Sequence, residues 1–407
     1  MKIKKLTALA MTTAMCAATI FGCGSMEKKE EATKVELKVW TPAEDNSSGW
    51  TKKMCEAFAA EHPEWDITFT YEDCGEGDAY NNIKNDPTVA ADVYMFANDQ
   101  LGNLLSINAI AKLGGEVADY VKNTNDEKMV STVSKDGAIY GMPYTANTWF
   151  MYYDKSVFTE DDVKNLDKML EKGKVAYSLN NGWYLGAMYA AGGAEYSGPN
   201  GNDESAGVKL GDKKYEVTEY MMKLVDHPNF IHDNGGDLGL AGLRDGSVNA
   251  YFSGSWHHDK VKEALGDNIG IAQLPTITLA SGEGQLKAFA GSKALGVNPN
   301  SKYMEQAVAL AKFLADKDSQ LEHYKMRGIV PCNTELLASD EVKGDALAQV
   351  QASVVANTSV IQPADASFGT NFWGNATTLV DNILNDTVTA DTYKADTDAT
   401  EKAMNGQ

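Results

Sequence analysis

Cysteine, histidine and proline are scarce in this 407-residue chain, at five, six and ten residues. Apart from the two cysteines among the first 23 residues, only Cys55, Cys74 and Cys332 remain, an odd number that excludes a dense disulfide framework. Cys55 and Cys74 read most simply as free buried thiols. A bridge between them is the alternative, because a βαβ helix starts at the end of the sheet where its strands finish. The adjacent His257 and His258 with Asp259, and the pair His227 and His232, lack nearby thiols or ligand spacing, so no metal is expected. The chain also lacks a Walker A loop, a Gly-x-Ser-x-Gly elbow and a His-Glu-x-x-His helix, and Gly235 to Gly239 lacks dinucleotide spacing. No cofactor is expected. Positive charge is in deficit, with 36 Lys and Arg against 57 Asp and Glu, a net charge of −21. Nucleic acid and anionic membrane surfaces are poor partners for such a chain. After Phe21 no apolar run approaches the roughly 20 residues that a spanning helix needs.

One short apolar run is present, at the start. Met1-Lys2-Ile3-Lys4-Lys5 precede a run from Leu6 to Phe21, and Gly22-Cys23 follow. The run is too short to hold a membrane for good, and with its basic flank it reads as an export signal. A small residue before a cysteine is the lipoprotein cleavage pattern, which makes residues 1–22 the signal and Cys23 a lipidated N-terminus. Phe21 is large for that pattern, and an ordinary signal peptide cut nearby is the alternative. Residues 23–33, rich in Glu and Lys, are expected to form a flexible tether. What remains far exceeds one hydrophobic core, so two domains with a cleft between them are the default.

Hydrophobic periodicity fills in the fold class. Val35, Leu37 and Val39 alternate with charged residues as in a strand. Ser47 or Ser48 can cap a helix in which Trp50, Met54 and Phe58 form one stripe, ended before Pro63. A strand over 67–71, a short helix over 78–84 and a strand over 93–96 complete βαβαβ, which predicts a mostly parallel sheet with helices on both faces. Further strands are expected over 139–144, 149–153, 175–179, 248–252, 271–274 and 288–297. Helices are expected near 185–191, 217–224 and 304–315, and the chain is mainly helical after Cys332.

In open α/β sheets ligands bind beyond the carboxyl ends of the strands. Five of those ends combine aromatics with short polar side chains: Trp40 with Glu44-Asp45-Asn46, Tyr71-Glu72-Asp73, Phe96 with Asn98-Asp99, Asn180-Asn181 with Trp183-Tyr184, and Ser253-Gly254-Ser255-Trp256. A pyranose lays its C–H faces on aromatic rings and offers a rim of hydroxyls to carboxylates and amides. A phosphate would call for basic residues or a Gly-rich loop opening a helix, and neither is seen. Core packing is the alternative for each aromatic taken singly. A glycosidase, whose two facing carboxylates leave no local signature, stays open as a competing class. So does a surface attachment protein without a small ligand.

Several segments, in order, resemble one family. Leu37-Lys38-Val39-Trp40 with Glu44-Asp45, Ile67 to Glu72, Ala91-Asp92-Val93 to Phe96-Ala97-Asn98-Asp99, Gly141-Met142-Pro143-Tyr144 with Met151 to Lys155, Gly254-Ser255-Trp256, Leu274-Pro275-Thr276, Arg327 to Pro331 and Asn371-Phe372-Trp373 look like the extracellular solute-binding proteins of ABC sugar importers. Within that family the chain is similar to the maltodextrin-binding proteins. The resemblance implies an α/β, two-lobed periplasmic-binding-protein-like fold with a central ligand cleft and hinge, the first lobe at 34–145 and 292–338, the second at 150–288 and 342–405. It implies a monomeric, non-enzymatic, extracytoplasmic receptor, lipid-anchored to the cell membrane, that delivers maltodextrin or another neutral oligosaccharide to ABC permease subunits. Its implied ligand set is Trp40, Glu44, Asp45, Glu72, Phe96, Asp99, Asn147, Trp183, Tyr184, Trp256 and Trp373. Gln100, Asn147 and Asn180 or Asn181 stand where maltodextrin binders carry an arginine and two glutamates, and Gly374 and Thr377 replace a tyrosine and an arginine. Fewer charged contacts with intact stacking are therefore expected.

Overall fold

The computed structural model describes residues 32–199, 201–235 and 238–407. The export segment, Cys23 and the tether as far as residue 31 lie outside the described residues. Two sheets organise the rest. The first runs in the order Ser359–Ile361, Ala288–Val297, Val93–Ala97, Thr33–Thr41, Trp65–Asp73, with Met142–Asn147 also paired to Ala288–Val297. Thr33–Thr41 is parallel to both Trp65–Asp73 and Val93–Ala97, as βαβαβ connectivity requires, whereas Ala288–Val297 returns antiparallel to Val93–Ala97. The second sheet runs Phe230–His232, Val175–Tyr177, Ala250–Ser253, Phe150–Asp154, Ile269–Ala272, parallel in its first three strands and antiparallel in the last two pairings.

Each sheet has its own core. Val35, Leu37 and Val39 point into the first, under the Trp50–Glu61 helix, whose Trp50, Met54 and Phe58 supply the buried stripe. That helix ends at His62, before Pro63. Its start differs from the expected serine cap. Ala43–Ser48 forms a short helix of its own, and Gly49, at φ 81°, takes the left-handed joint between the two; the Ser48 hydroxyl still accepts from the Trp50 N–H at 3.3 Å. The second core is rich in rings, with Trp149 packed on Tyr184 at 4.7 Å and edge-on to Tyr177 and Phe252. Val330 and Leu336 join this second core. The Ala288–Val297 strand serves both bodies: Phe289 is buried in the second core, and Ala294, Leu295 and Val297 in the first. Nine of its ten residues are buried, and the exception is Lys293.

Among the described residues the thiols of Cys55, Cys74 and Cys332 are free and buried. Burial pushes the Cys55 thiol up to about 12. The Cys74 thiol instead lies 3.3 Å from the amide nitrogen of Asn82. Among the described residues no helix is long and apolar enough to cross a membrane, and no group of three or more His, Cys, Asp or Glu is placed to hold a metal ion.

Candidate functional site

A cleft of about 700 Å³ opens between the two sheets. Its walls differ in chemistry. The side carried by the first sheet presents Glu76, Gly77, Ala97 and Asp99, and the strands that cross between the bodies add Asn147, Lys293 and, just past Ile361, Gln362. The opposite side presents Trp183, Trp256 and Trp373 with Asn180, Asn181, Asn234 and Thr377.

Each tryptophan is fixed by its local structure. Trp183 opens the Gly182–Ala191 helix, where the capping Asn181 side chain accepts from its N–H at 2.9 Å, and its indole N–H donates to Gln362 Oε1 at 2.8 Å. Trp256 sits in a single turn over Ser255–His257, anchored by the His257 ring on the Ser253 hydroxyl at 2.9 Å. Its indole lies flat against Gly254, where a Cβ would land inside the ring, so only glycine leaves room for it. At 42 % exposure Trp256 is an exposed large apolar side chain, and its ring centroid is 5.8 Å from that of Trp183 at 31°. Trp373 lies on the Ala366–Leu384 helix, which Asp365 caps by accepting from the Phe368 N–H at 2.7 Å. Edge contacts to Phe289, Phe368 and Phe372 at 5.8, 5.1 and 5.1 Å hold that indole in place. Gly182 lets the neighbouring helix approach it, since a Cβ there would meet Trp373 Cε3 at 3.0 Å.

The polar wall is built as tightly. The Glu76 carbonyl accepts from the Ala97 N–H at 3.0 Å and from the Gln100 side chain at 2.8 Å, which ties the turn after the second strand to the end of the third. The Glu76 carboxylate accepts from the Tyr144 hydroxyl at 2.6 Å and pairs with Lys293 at 3.2 Å. Burial alone would raise the Glu76 carboxyl; the Lys293 charge and the Tyr144 hydrogen bond outweigh it and hold the group below its ordinary range. Asp99 has no such ion pair among the described residues. Burial pushes its carboxyl up to about 6, opposed only by a hydrogen bond from its own backbone.

Of the eleven side chains that the sequence suggested, Asp99, Asn147, Trp183, Trp256 and Trp373 meet in this cleft. The other six lie outside its lining. Trp40 is buried in the first core and its indole N–H donates to Glu72 at 2.7 Å, so the two satisfy each other; Glu72 also pairs with Lys38 at 3.1 Å. Phe96 is fully buried beneath the first sheet. Tyr184 packs on Trp149 inside the second core. Asp45 is 2 % exposed and engaged by His323 at 2.8 Å and by Arg327 at 3.3 Å, the His323 ring being stacked on Trp50. Glu44 is solvent-exposed beside it. The structure thus does not bring these six to the cleft lining: Trp40 and Asp45 are drawn inward by partners from distant segments, Phe96 and Tyr184 pack in the cores, and Glu44 and Glu72 stay at the surface. Glu76, Lys293, Gln362 and Asn234 were missed. Lys293 carries a usable signal, as the one charge in the apolar run Ala288 to Val297, and Glu76 lies four residues past Glu72.

The family described as bacterial extracellular solute-binding protein matches residues 53–352. A maltooligosaccharide ABC transporter solute-binding lipoprotein of Streptococcus pneumoniae is 26 % identical over 370 residues, 85 % of each chain. A galactooligosaccharide-binding protein of Bacillus subtilis is 24 % identical over 84 % of this chain and 83 % of that one. A structure solved with acarbose is 50 % identical and superposes with a TM-score of 0.87 over 91 % of this chain and 98 % of the other.

Proposed function

The chain belongs to the bacterial extracellular solute-binding protein family, and on that premise we propose that it is a receptor that takes maltodextrin, an α-1,4-linked glucan oligomer, into the cleft and hands it to an ABC permease. It binds a solute and does not transform one, as its family does. The observation that carries the sugar assignment is three tryptophans facing a wall of carboxylate, ammonium and amide groups across one cleft. Three stacked faces at roughly 1 kcal/mol each fall short of the about 8 kcal/mol that micromolar affinity needs. Buried C–H area and hydrogen bonds to the polar wall supply the rest, which requires both walls to touch the ligand at once. Closure of the body built on the first sheet on the body built on the second achieves that.

Charge narrows the ligand further. The cleft carries two carboxylates and one ammonium, so a neutral oligosaccharide meets no repulsion and an anionic one does. The similarity to an oligosaccharide receptor of the maltose type and to a structure holding acarbose favours the glucan, and the galactooligosaccharide relative supplies the second reading. Lipid on Cys23, with the polar tether after it, keeps the receptor, a monomer, at its importer. Calorimetric titration with maltodextrins, galacto-oligosaccharides, xylo-oligosaccharides and an oligoglucuronate tests the reading, with chromatography of the recovered sugar. Tight binding of intact maltotriose and no response to the glucuronate is expected. Heat from galacto-oligosaccharides alone would overturn the glucan assignment, and cleavage products would overturn the receptor.

A further inference from the structure

The Lys293–Glu76 pair is an unusual thing to find in a cleft that takes a neutral ligand. An exposed ion pair contributes little to stability, and a buried one costs desolvation. This pair sits between those limits, its side chains 26 % and 14 % exposed. Its framework is nevertheless rigid. Lys293 interrupts a ten-residue strand that is otherwise buried, in register opposite Ala97 and Thr145. Glu76 is held by its own carbonyl and by Tyr144, and the fully enclosed Tyr144 ring is backed by His323 at 5.6 Å. His323 belongs in turn to the buried Asp45 cluster. Tyr144 thus stands between the cleft and a second charged network, and its hydroxyl, raised far above its ordinary range by burial and by the neighbouring carboxylates, remains a donor.

We propose that Lys293 and Glu76 form a hydroxyl-reading pair that sets ring specificity in the cleft, and that Tyr144 is the positioning residue that aims Glu76. This rests on the oligosaccharide reading above. The Glu76 oxygen that accepts from Tyr144 is the one that meets Lys293, which leaves the second oxygen as an acceptor. The ammonium keeps two of its three donors. The Lys293 ammonium, 3.2 Å from the engaged Glu76 oxygen, and the second Glu76 oxygen present a fixed donor and acceptor side by side, matched to two neighbouring hydroxyls of one pyranose ring, one accepting from Lys293 and one donating to Glu76. Charge-assisted bonds of this kind reject a ring that lacks either hydroxyl, because the pair is then left half-satisfied in a closed cleft. The tryptophan wall cannot make that distinction, since every pyranose has a C–H face. Stacking therefore holds the chain of sugars, and the pair identifies one ring of it.

The test is calorimetric titration of the wild type, Glu76→Gln, Lys293→Met, Tyr144→Phe and the Glu76→Gln/Tyr144→Phe double variant with maltotriose and with mono-deoxygenated maltotrioses, after thermal melts confirm folding. Glu76→Gln and Lys293→Met should each bind maltotriose at least tenfold more weakly. At least one deoxygenated maltotriose should bind the wild type equally weakly, with no further loss in either variant. Tyr144→Phe should lose several-fold, an effect that vanishes in the Glu76→Gln background, whereas a merely structural role would persist there. If maltotriose binds the wild type and these variants alike, or if the variants lose affinity equally for every deoxygenated sugar, the pair does not read hydroxyls. If no sugar binds the wild type, the oligosaccharide reading falls and this one with it.

Discussion

Replacing Trp256 by alanine removes the most exposed face of the aromatic wall, and its cost can be worked out in advance. The indole is 42 % exposed without ligand, so much of its face is available to a sugar. A pyranose lying on it would remove roughly 100 Å² of apolar surface from water, both partners counted, or about 2.5 kcal/mol at about 25 cal/mol per Å². Stacking adds about 1 kcal/mol beyond area. Trp183, 5.8 Å away, retains part of the contact. The expected loss is about 2–3 kcal/mol, or roughly 30- to 150-fold in Kd for maltotriose. Isothermal calorimetry measures it directly. Gly254→Ala provides an independent check on the geometry. Gly254 has extended backbone that any residue adopts, so the added Cβ acts only by pushing the Trp256 ring aside. That variant should weaken binding in the same direction while its thermal stability changes little. Unchanged affinity in Trp256→Ala would remove this residue from the site, and unchanged affinity in Gly254→Ala alone would show that the ring need not lie where it does.

Other consequences follow from the same contacts. Asp99 has its carboxyl raised to about 6 while an unfolded aspartate titrates near 3.8, so its burial penalty applies above about pH 6 and fades as pH falls toward 4. Asp99→Asn should therefore melt higher than the wild type at pH 7.5 and equally at pH 4; equal melting at both would contradict the desolvation argument. Asp45→Asn breaks a buried cluster with His323 and Arg327 and should destabilise by about 3–5 kcal/mol in urea unfolding without changing sugar affinity. Intact stability with lost binding would return Asp45 to the site. Native protein should resist thiol labelling at neutral pH and melt identically with and without reductant, since Cys55 and Cys74 are buried and unbridged; a reductant-dependent shift would refute this. Cys23→Ala should release the receptor from cells into the medium, and continued membrane retention would refute lipid tethering.

Local pattern made much of the fold readable. The alternation at Val35, Leu37 and Val39 and the fourfold stripe from Trp50 are properties of neighbouring residues, and both elements formed where the periodicity put them. The expected strand over 139–144 divided instead into Ala138–Ile139 and Met142–Asn147, because the two pieces pair with different partners, the first with Ser134–Lys135 and the second with Ala288–Val297. The site was harder to read for a related reason. Trp183 and Trp373 each adjoin a glycine and Trp256 has one two positions before it, a local sign of close packing around an indole. Whether Trp40 or Asp45 faces solvent depends on Glu72 and on His323, 32 and 278 positions away, and no window of sequence contains that information. Glu76 and Lys293 likewise come from distant segments, brought together because Lys293 lies opposite Ala97 in the sheet and the Ala97 N–H donates to the Glu76 carbonyl.

The central claim is that a neutral glucan lies between the tryptophan wall and the Glu76–Lys293 wall. A crystal structure of the protein with maltotriose tests it most directly. Glucosyl rings within about 4 Å of Trp183, Trp256 or Trp373, with their hydroxyls bonded to the opposite wall, is the result expected. Sugar seated outside this cleft, along Trp40 and Glu44 for example, would contradict it.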